Sequence, residues 1–298
     1  MQYVGPGGDE PIVVDRGALV QRRYASASPD ARRPSGAAGA TCDTDPMFGH
    51  HPLLMVLAGF GAGLTGSIAG LASLISYPAL LAAGLPPVTA NVTNTMALVF
   101  NGVGSTWGSV PELRGQWPWL RSLVLAGLFG GAVGSFLLLL TPPGAFALAV
   151  PWLIAIASLA IVVPVPARLG TRRVGADRRP AVAVAMFVVA VYGGYFGAAA
   201  GVLMLAVVLT ATTEGIARAS AVKNVVLGTA NGVAAIAFAV FGPVRWSIVV
   251  PLALGLLVGG RLGPIVVRRA PVRILRILIA LAGMGLAIHL GIDAYAPT

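Results

Sequence analysis

SLISYPALLAAGLPPVTANVTNTMALVFNG, residues 73–102, decides how this chain is read. An altered copy follows 130 residues later (224 − 94). The first copy carries Asn94, six residues, then Asn101-Gly102; the second carries Asn224, six residues, then Asn231-Gly232. Both copies lie in long apolar segments, and a glycine-rich stretch precedes each: GFGAGLTGSIAG at 59–70 and YGGYFGAAAG at 192–201. Paired segments that place amides where lipid would forbid them predict a membrane transporter made of two related halves.

Composition agrees. The chain is 57% hydrophobic and 10% charged, with a mean hydropathy of +0.86, whereas a soluble domain is about 25% charged. Of its 20 basic residues Lys223 is the single lysine, leaving 19 arginines (20 − 1). The net charge of +10 does not point to nucleic acid, because the arginines flank apolar segments, where they set orientation in the bilayer. Cys42 is the single cysteine, which excludes a disulfide framework and a cysteine metal site. His50 and His51 precede the first span and His289 lies near the end of the last, poor spacing for a shared site. No cofactor and no metal are expected.

Residues 1–46, rich in Gly, Ala, Ser, Pro and Arg without apolar periodicity, read as a disordered cytoplasmic tail. No signal-peptide pattern is visible before residue 46. Apolar spans follow at 52–84, 87–110, 117–140, 143–164, 182–211, 215–241, 246–266 and 273–293. The fold class expected is an all-α polytopic membrane protein with about eight crossings in two four-helix halves. The first repeat is 47–166, the second 182–293, and a basic cytoplasmic loop, 167–181, joins them. The first and fifth spans exceed one straight crossing by about ten residues and are interrupted by glycines. That is a pointer to discontinuous or re-entrant helices around a solute site, with a plain tilted helix, which absorbs excess length, as the equal alternative. Eight crossings put both termini inside, at the cost of facing Arg268, Arg269 and Arg273 outward. A re-entrant fifth span would turn that loop inward and send the C-terminus outside.

Polar side chains inside a bilayer default to bundle interiors or solute pathways. Asn91, Asn94, Thr95 and Asn101 share a broad helix face, and Ser73 precedes them. Their counterparts are Lys223, Asn224 and Asn231, with Tyr195 ahead of them. Amides and hydroxyls can donate to an oxyanion in place of water, and Lys223 would supply a fixed positive charge. The competing reading is interhelical hydrogen bonding, below about 2 kcal/mol per pair. For Lys223 the competing readings are snorkelling or pairing with Glu214. Glycines at four-residue spacing, such as Gly59/Gly63 and Gly255/Gly259/Gly263, read as close helix packing. Gly66, Gly70, Gly197 and Gly201 lie near enough to the asparagines for backbone to meet a substrate. After the tail the acids are Glu112, Asp177, Glu214 and Asp293, all in loops or at span ends. They offer no carboxylate pair, and no nucleotide-binding or hydrolase constellation is present. The chain is not expected to be an enzyme.

The blocks SLISYPALLAAGLPPVTANVTNT with PELRGQW, and ASAVKNVVLGTANGVAAIAFAVFGPVRW, resemble the paired signatures of the sulfite exporter TauE/SafE family over about residues 52–293. The resemblance implies movement of sulfite, organosulfonates or related small sulfur-containing anions, with direction left open. One departure is that Gly70-Leu71-Ala72-Ser73 stands where the family often has a run of glycines. The expectation is a cytoplasmic-membrane permease working by alternating access, its partners the anion and the lipid bilayer, with homo-oligomerisation left open. An anion channel and a non-transporting scaffold are the alternatives.

Overall fold

The computed structural model describes residues 52–162, 179–212, 215–267 and 272–295. The expected tail 1–46, most of the 167–181 loop, His50, His51, Glu214 and the pair Arg268-Arg269 lie outside the described residues.

The described residues form eleven helices and no strand. They are α1 (Pro52–Ala69), α2 (Ser73–Ala82), α3 (Pro87–Gly108), the single turn α4 (Val110–Leu113), α5 (Trp117–Leu140) and α6 (Pro143–Val162). After the basic segment come α7 (Arg179–Tyr195), α8 (Ala200–Ala211), α9 (Ile216–Phe241), α10 (Trp246–Val267) and α11 (Val272–Tyr295). By length and composition α1, α5, α6, α9 and α10 can each cross a membrane. At 22 residues α3 is also long enough, but its Asn and Thr content keeps it out of that apolar group. The chain is a multi-pass membrane protein. Phe129, Phe136, Trp152, Ile236 and Leu254 are each more than half exposed, as a lipid-facing perimeter requires, while Ser67, Asn91, Asn94, Asn101, Lys223, Asn224 and Asn231 are buried.

The spans at 52–84 and 182–211 are each two helices with an irregular break, at Gly70–Ala72 and Phe196–Ala199. Gly70 ends α1 in the left-handed region (φ +76°), its N–H donating to Gly66 O at 2.8 Å, the conformation glycine adopts at helix ends without steric cost. Gly197 takes the same conformation (φ +78°) after α7.

Packing pairs the helices reciprocally. α10 lies on α1 and α3, and α5 lies on α7 and α9; α6 packs on α11 and α3 crosses α9. Helix directions follow from residues that meet. Gly59 faces Leu252, Gly63 faces Gly260, and Gly263 faces Ser67, so α1 and α10 run parallel. Gly104 faces Leu257 and Gly108 faces Pro264, so α3 runs with them. In the other set Gly130 faces Phe187 and Gly134 faces Val191, while Gly127 faces Val226 and Gly131 faces Ala230, so α5, α7 and α9 are parallel. α2 runs against α3: Ser76 meets Asn94, and the Tyr77 hydroxyl reaches Pro87 O. A helix antiparallel to α3 is antiparallel to α1, so α1 and α2 form a hairpin with both ends on the side where α3 begins. α7 and α8 form the second hairpin: α7 runs with α9, and only residues 212–215 join the end of α8 to the start of α9.

These contacts depend on the absence of side chains. A Cβ on Gly63 would lie 2.7 Å from the Gly260 nitrogen, and one on Gly134 would lie 2.1 Å from Val191 O. The four-residue glycine stripes are thus helix-packing surfaces, as small residues are in lipid generally.

Candidate functional site

The two hairpin tips meet between α3 and α9. A Cβ on Gly70 would lie 2.5 Å from the Gly201 Cα, and a Cβ on Gly102 would lie 2.7 Å from the Gly228 Cα. Beside these glycine crossings is a cavity of about 20 Å³, room for about one water molecule. Its walls come from both hairpin tips (Gly66, Gly70, Ala72, Ser73 and Gly197), from α3 (Leu98, Asn101, Gly102 and Ser105) and from α9 (Asn224, Leu227, Gly228 and Asn231). Asn101 and Asn231, the second asparagines of the duplicated motif, therefore face one space.

Two features of this space favour an anion. The starts of α2 and α8 lie at the tips, where the helix dipole is positive; most of their first-turn N–H groups are already taken, Leu74, Ile75 and Ser76 donating to Leu71 O and Ala72 O, and Ala200, Val202 and Leu203 to Gly197 O and Ala199 O. Buried amides can donate as well: the Asn101, Asn224 and Asn231 side chains line the space, and the unpartnered Asn101 Oδ1 is an acceptor.

Of the nine residues singled out from the sequence, Ser73, Asn101, Asn224 and Asn231 line the cavity. The other five stand behind the wall. The Asn94 Oδ1 accepts the Ser76 hydroxyl at 2.5 Å, tying α3 to α2. The Thr95 hydroxyl donates to Asn91 O at 2.9 Å within its own helix. The Asn91 amide donates to Tyr195 O at 2.9 Å, and the Tyr195 hydroxyl points away from the tips to Thr141 at 3.4 Å. Lys223 is fully buried and donates to Gly66 O at 2.8 Å and Ser67 O at 3.2 Å. Ser67 O also accepts the Ser220 hydroxyl at 2.8 Å and the Asn224 amide at 3.4 Å. The sequence marks Gly66 as backbone near the asparagines but not that its carbonyl and that of Ser67 meet Lys223, because a backbone acceptor leaves no mark in residue types. Reading the sequence missed Ser105, an ordinary helix serine by sequence.

The capping is reciprocal. α9 supplies the polar groups that meet the end of α1, and α3 supplies the amide that meets the end of α7. The last carbonyls of a helix have no partner within it, and in a bilayer each must still be satisfied. The duplicated polar residues fulfil that need while bringing their neighbours to the cavity.

A family model described as Sulfite exporter TauE/SafE matches residues 55–290. The "Probable membrane transporter protein ORF9" of Sinorhizobium sp is 25% identical over 254 residues, covering 83% of this chain and 95% of that protein. A "Probable membrane transporter protein" of Haemophilus influenzae is 28% identical over 220 residues, covering 70% of this chain and 82% of that relative. No solved structure matches.

Proposed function

The chain belongs to the sulfite exporter TauE/SafE family, and on that premise we propose that it is a permease moving a small sulfur oxyanion across the cytoplasmic membrane by alternating access. The observation that carries this reading is the shared cavity, where two broken-helix tips and both asparagine-bearing helices converge. Asn101, Asn231 and Asn224 donate to the anion from the two halves, and the start of α2 at Ser73 adds a positive dipole end. Asn94 and Asn91 hold the tips in place. About 20 Å³ does not admit a three-oxygen anion, so this is an occluded arrangement whose walls must part to load or release solute.

The layout supports access from both sides. The helix directions support a reading with six full crossings (α3, α5, α6, α9, α10 and α11) and two hairpins that enter from opposite faces, a two-half arrangement of inverted topology, as an alternative to eight plain crossings. Arg114, Arg121 and Arg218 then fall at one face, where α6 ends, α7 begins, α10 ends and α11 begins, and Arg245 falls at the other. Positive charge marks the cytoplasmic side, so α7–α8 enters from the cytoplasm and α1–α2 from outside. The ends of α6 and α10 and the starts of α7 and α11, which flank the two Arg-rich connections in sequence, then share one face, and both ends of the described chain lie outside.

Uptake of labelled sulfite into proteoliposomes tests the transport reading. Wild type is expected to show saturable flux that Asn101→Ala and Asn231→Ala each reduce at least tenfold, a loss of about 1.4 kcal/mol in the barrier-crossing complex. Unchanged flux in both variants, from protein that elutes as a folded species, overturns the site. Absence of flux from wild type with sulfite, sulfonates and thiosulfate overturns the sulfur-anion assignment.

A further inference from the structure

The central cavity continues along one seam toward the face where Arg114, Arg121 and Arg218 gather. From the Gly102–Gly228 crossing α3 runs to that face and α9 comes from it, so the later residues of α3 lie beside the earlier residues of α9. Ser105, one turn beyond Asn101, already lines the central cavity together with Asn224. One turn further out on each helix, Ser109 and Ser220 line a second cavity of about 10 Å³, closed by Glu112, Ala217 and Pro264. Ser105, Ser109 and Ser220 are all buried. Hydroxyls thus lead from the solute space to the end of the bundle, and polar groups inside a bilayer default to bundle interiors or solute pathways.

The seam at the opposite face is built differently. The duplicated motif sets Asn94 against Asn224, an offset of 130 residues (224 − 94). With that offset Ser105 corresponds to Ala235 and Ser220 to Ala90, both buried. Their neighbours along the two helices, Val92, Ala234 and Phe238, belong to the apolar core. Alanine and serine serve close helix packing equally well, so packing does not explain hydroxyls at one seam and methyls at the other. A solute that must keep hydrogen-bond partners does. The polar seam is also covered by a small element. α4 is a single turn packed on α9. It hangs from Ser109, whose carbonyl accepts the Glu112 and Leu113 N–H groups at 3.1 and 3.3 Å. Gly115 follows it at φ +78° with open space beside it.

We propose that solute passes between the central cavity and the cytoplasm along the α3–α9 seam, in contact with the hydroxyls of Ser105, Ser109 and Ser220, beneath an α4 turn that closes the route in the occluded state. In that state Ser105 donates to Gly102 O at 3.3 Å and Ser220 to Ser67 O at 2.8 Å. A hydroxyl rotor turns from such a carbonyl to a passing oxyanion. Glu112 belongs to α4, so its carboxylate leaves the route when that turn swings aside. The inference deepens the permease reading and rests on it.

Thiol accessibility in a Cys42→Ser background tests it. Inside-out membrane vesicles carrying Ala217→Cys at the rim, Ser109→Cys or Ser105→Cys are treated with a membrane-impermeant maleimide, which is then quenched and washed away. All three cysteines are expected to react from this side, Ala217→Cys fastest and Ser105→Cys slowest. Modified Ser109→Cys should lose most of the labelled-sulfite flux that mock-treated vesicles show. Three outcomes overturn the proposal: a rim that reacts while Ser105→Cys and Ser109→Cys do not, full modification of Ser109→Cys without loss of flux, or reaction only from the outer face. If wild type moves no sulfite, the permease reading falls, and the reactivity of Ser105→Cys and Ser109→Cys still decides whether the seam opens beneath α4.

Discussion

The two hairpin tips share a plan and differ in how they are held. The α1–α2 tip is fixed by polar groups: Lys223, Ser220 and Asn224 converge on the carbonyls of Gly66 and Ser67. The α7–α8 tip is fixed mainly by rings. Phe196 packs edge-on against Tyr77 at 5.3 Å and against Phe146 at 5.9 Å, and one amide, Asn91, satisfies Tyr195 O. Both tips bend through a left-handed glycine, Gly70 or Gly197, but the second adds a left-handed alanine, Ala199 at φ 57°. A duplicated scaffold thus meets the same requirement, an unsatisfied helix end in mid-bundle, once with charge and once with apolar packing. A site between unlike tips can treat its two sides differently, which a carrier with a preferred direction requires.

The sharpest way to break the comparison is to ask whether the tips enter from opposite faces. In a Cys42→Ser background, single cysteines at Ala82→Cys and Gly215→Cys stand at the bases of the first and second hairpins, on exposed residues. A membrane-impermeant maleimide applied to intact cells is expected to label Ala82→Cys, and to label Gly215→Cys only after lysis. Labelling of both from the same side removes the inverted arrangement.

The largest stability difference is expected between the two tip glycines. On Gly70 a Cβ would lie 2.3 Å from the Gly201 carbonyl carbon, with backbone all round; on Gly197 the nearest atom is Gly193 O at 3.0 Å. Gly70→Ala combines overpacking with left-handed strain and should cost about 4 kcal/mol or prevent assembly. Gly197→Ala carries mostly the strain, about 1–2 kcal/mol. Melting temperatures of the two variants check the order, and equal losses would mean that the tips do not meet at Gly70 and Gly201.

Residue types show part of this and hide the rest. The asparagine pairs were legible because amides in an apolar run have few reasons to be there, and Asn101, Asn224 and Asn231 do line the cavity. The glycine breaks at 70 and 197 were legible as interruptions. The direction of the chain beyond each break was not: an 18-residue helix followed by a 10-residue one has the hydropathy of one long tilted crossing. What distinguishes them is which glycine faces which helix, a property of pairs distant in sequence. Lys223 shows the same limit. Its type and burial pointed to function, but its partners are backbone carbonyls that any residue could provide.

A smaller effect isolates the neutral cap. Asn91→Ala leaves the partly buried Tyr195 O without its side-chain donor, and should lower stability by about 1–3 kcal/mol. Asn91→Asp, which offers no amide donor and adds charge, should be worse. If Asn91→Ala melts like wild type, the end of α7 finds another donor, and the reciprocal capping is a feature of the first tip only.

The smallest effect concerns Ala199, whose left-handed conformation at the start of α8 has no counterpart at Ala72, which is right-handed at φ −52°. A side chain at positive φ costs about 1–2 kcal/mol relative to glycine, and glycine's greater freedom in the unfolded chain takes back part of that gain. Ala199→Gly should therefore stabilise the folded protein by about 1 kcal/mol or less, visible as a small rise in melting temperature. Strain of this kind persists where surrounding structure enforces it, often at sites that must move. If the same substitution also slows sulfite flux, the strain at Ala199 helps the second tip leave its occluded position. If flux is unchanged, the strain only serves the packing of a tip whose neighbouring Ala198 O is held by the Tyr192 hydroxyl at 2.7 Å.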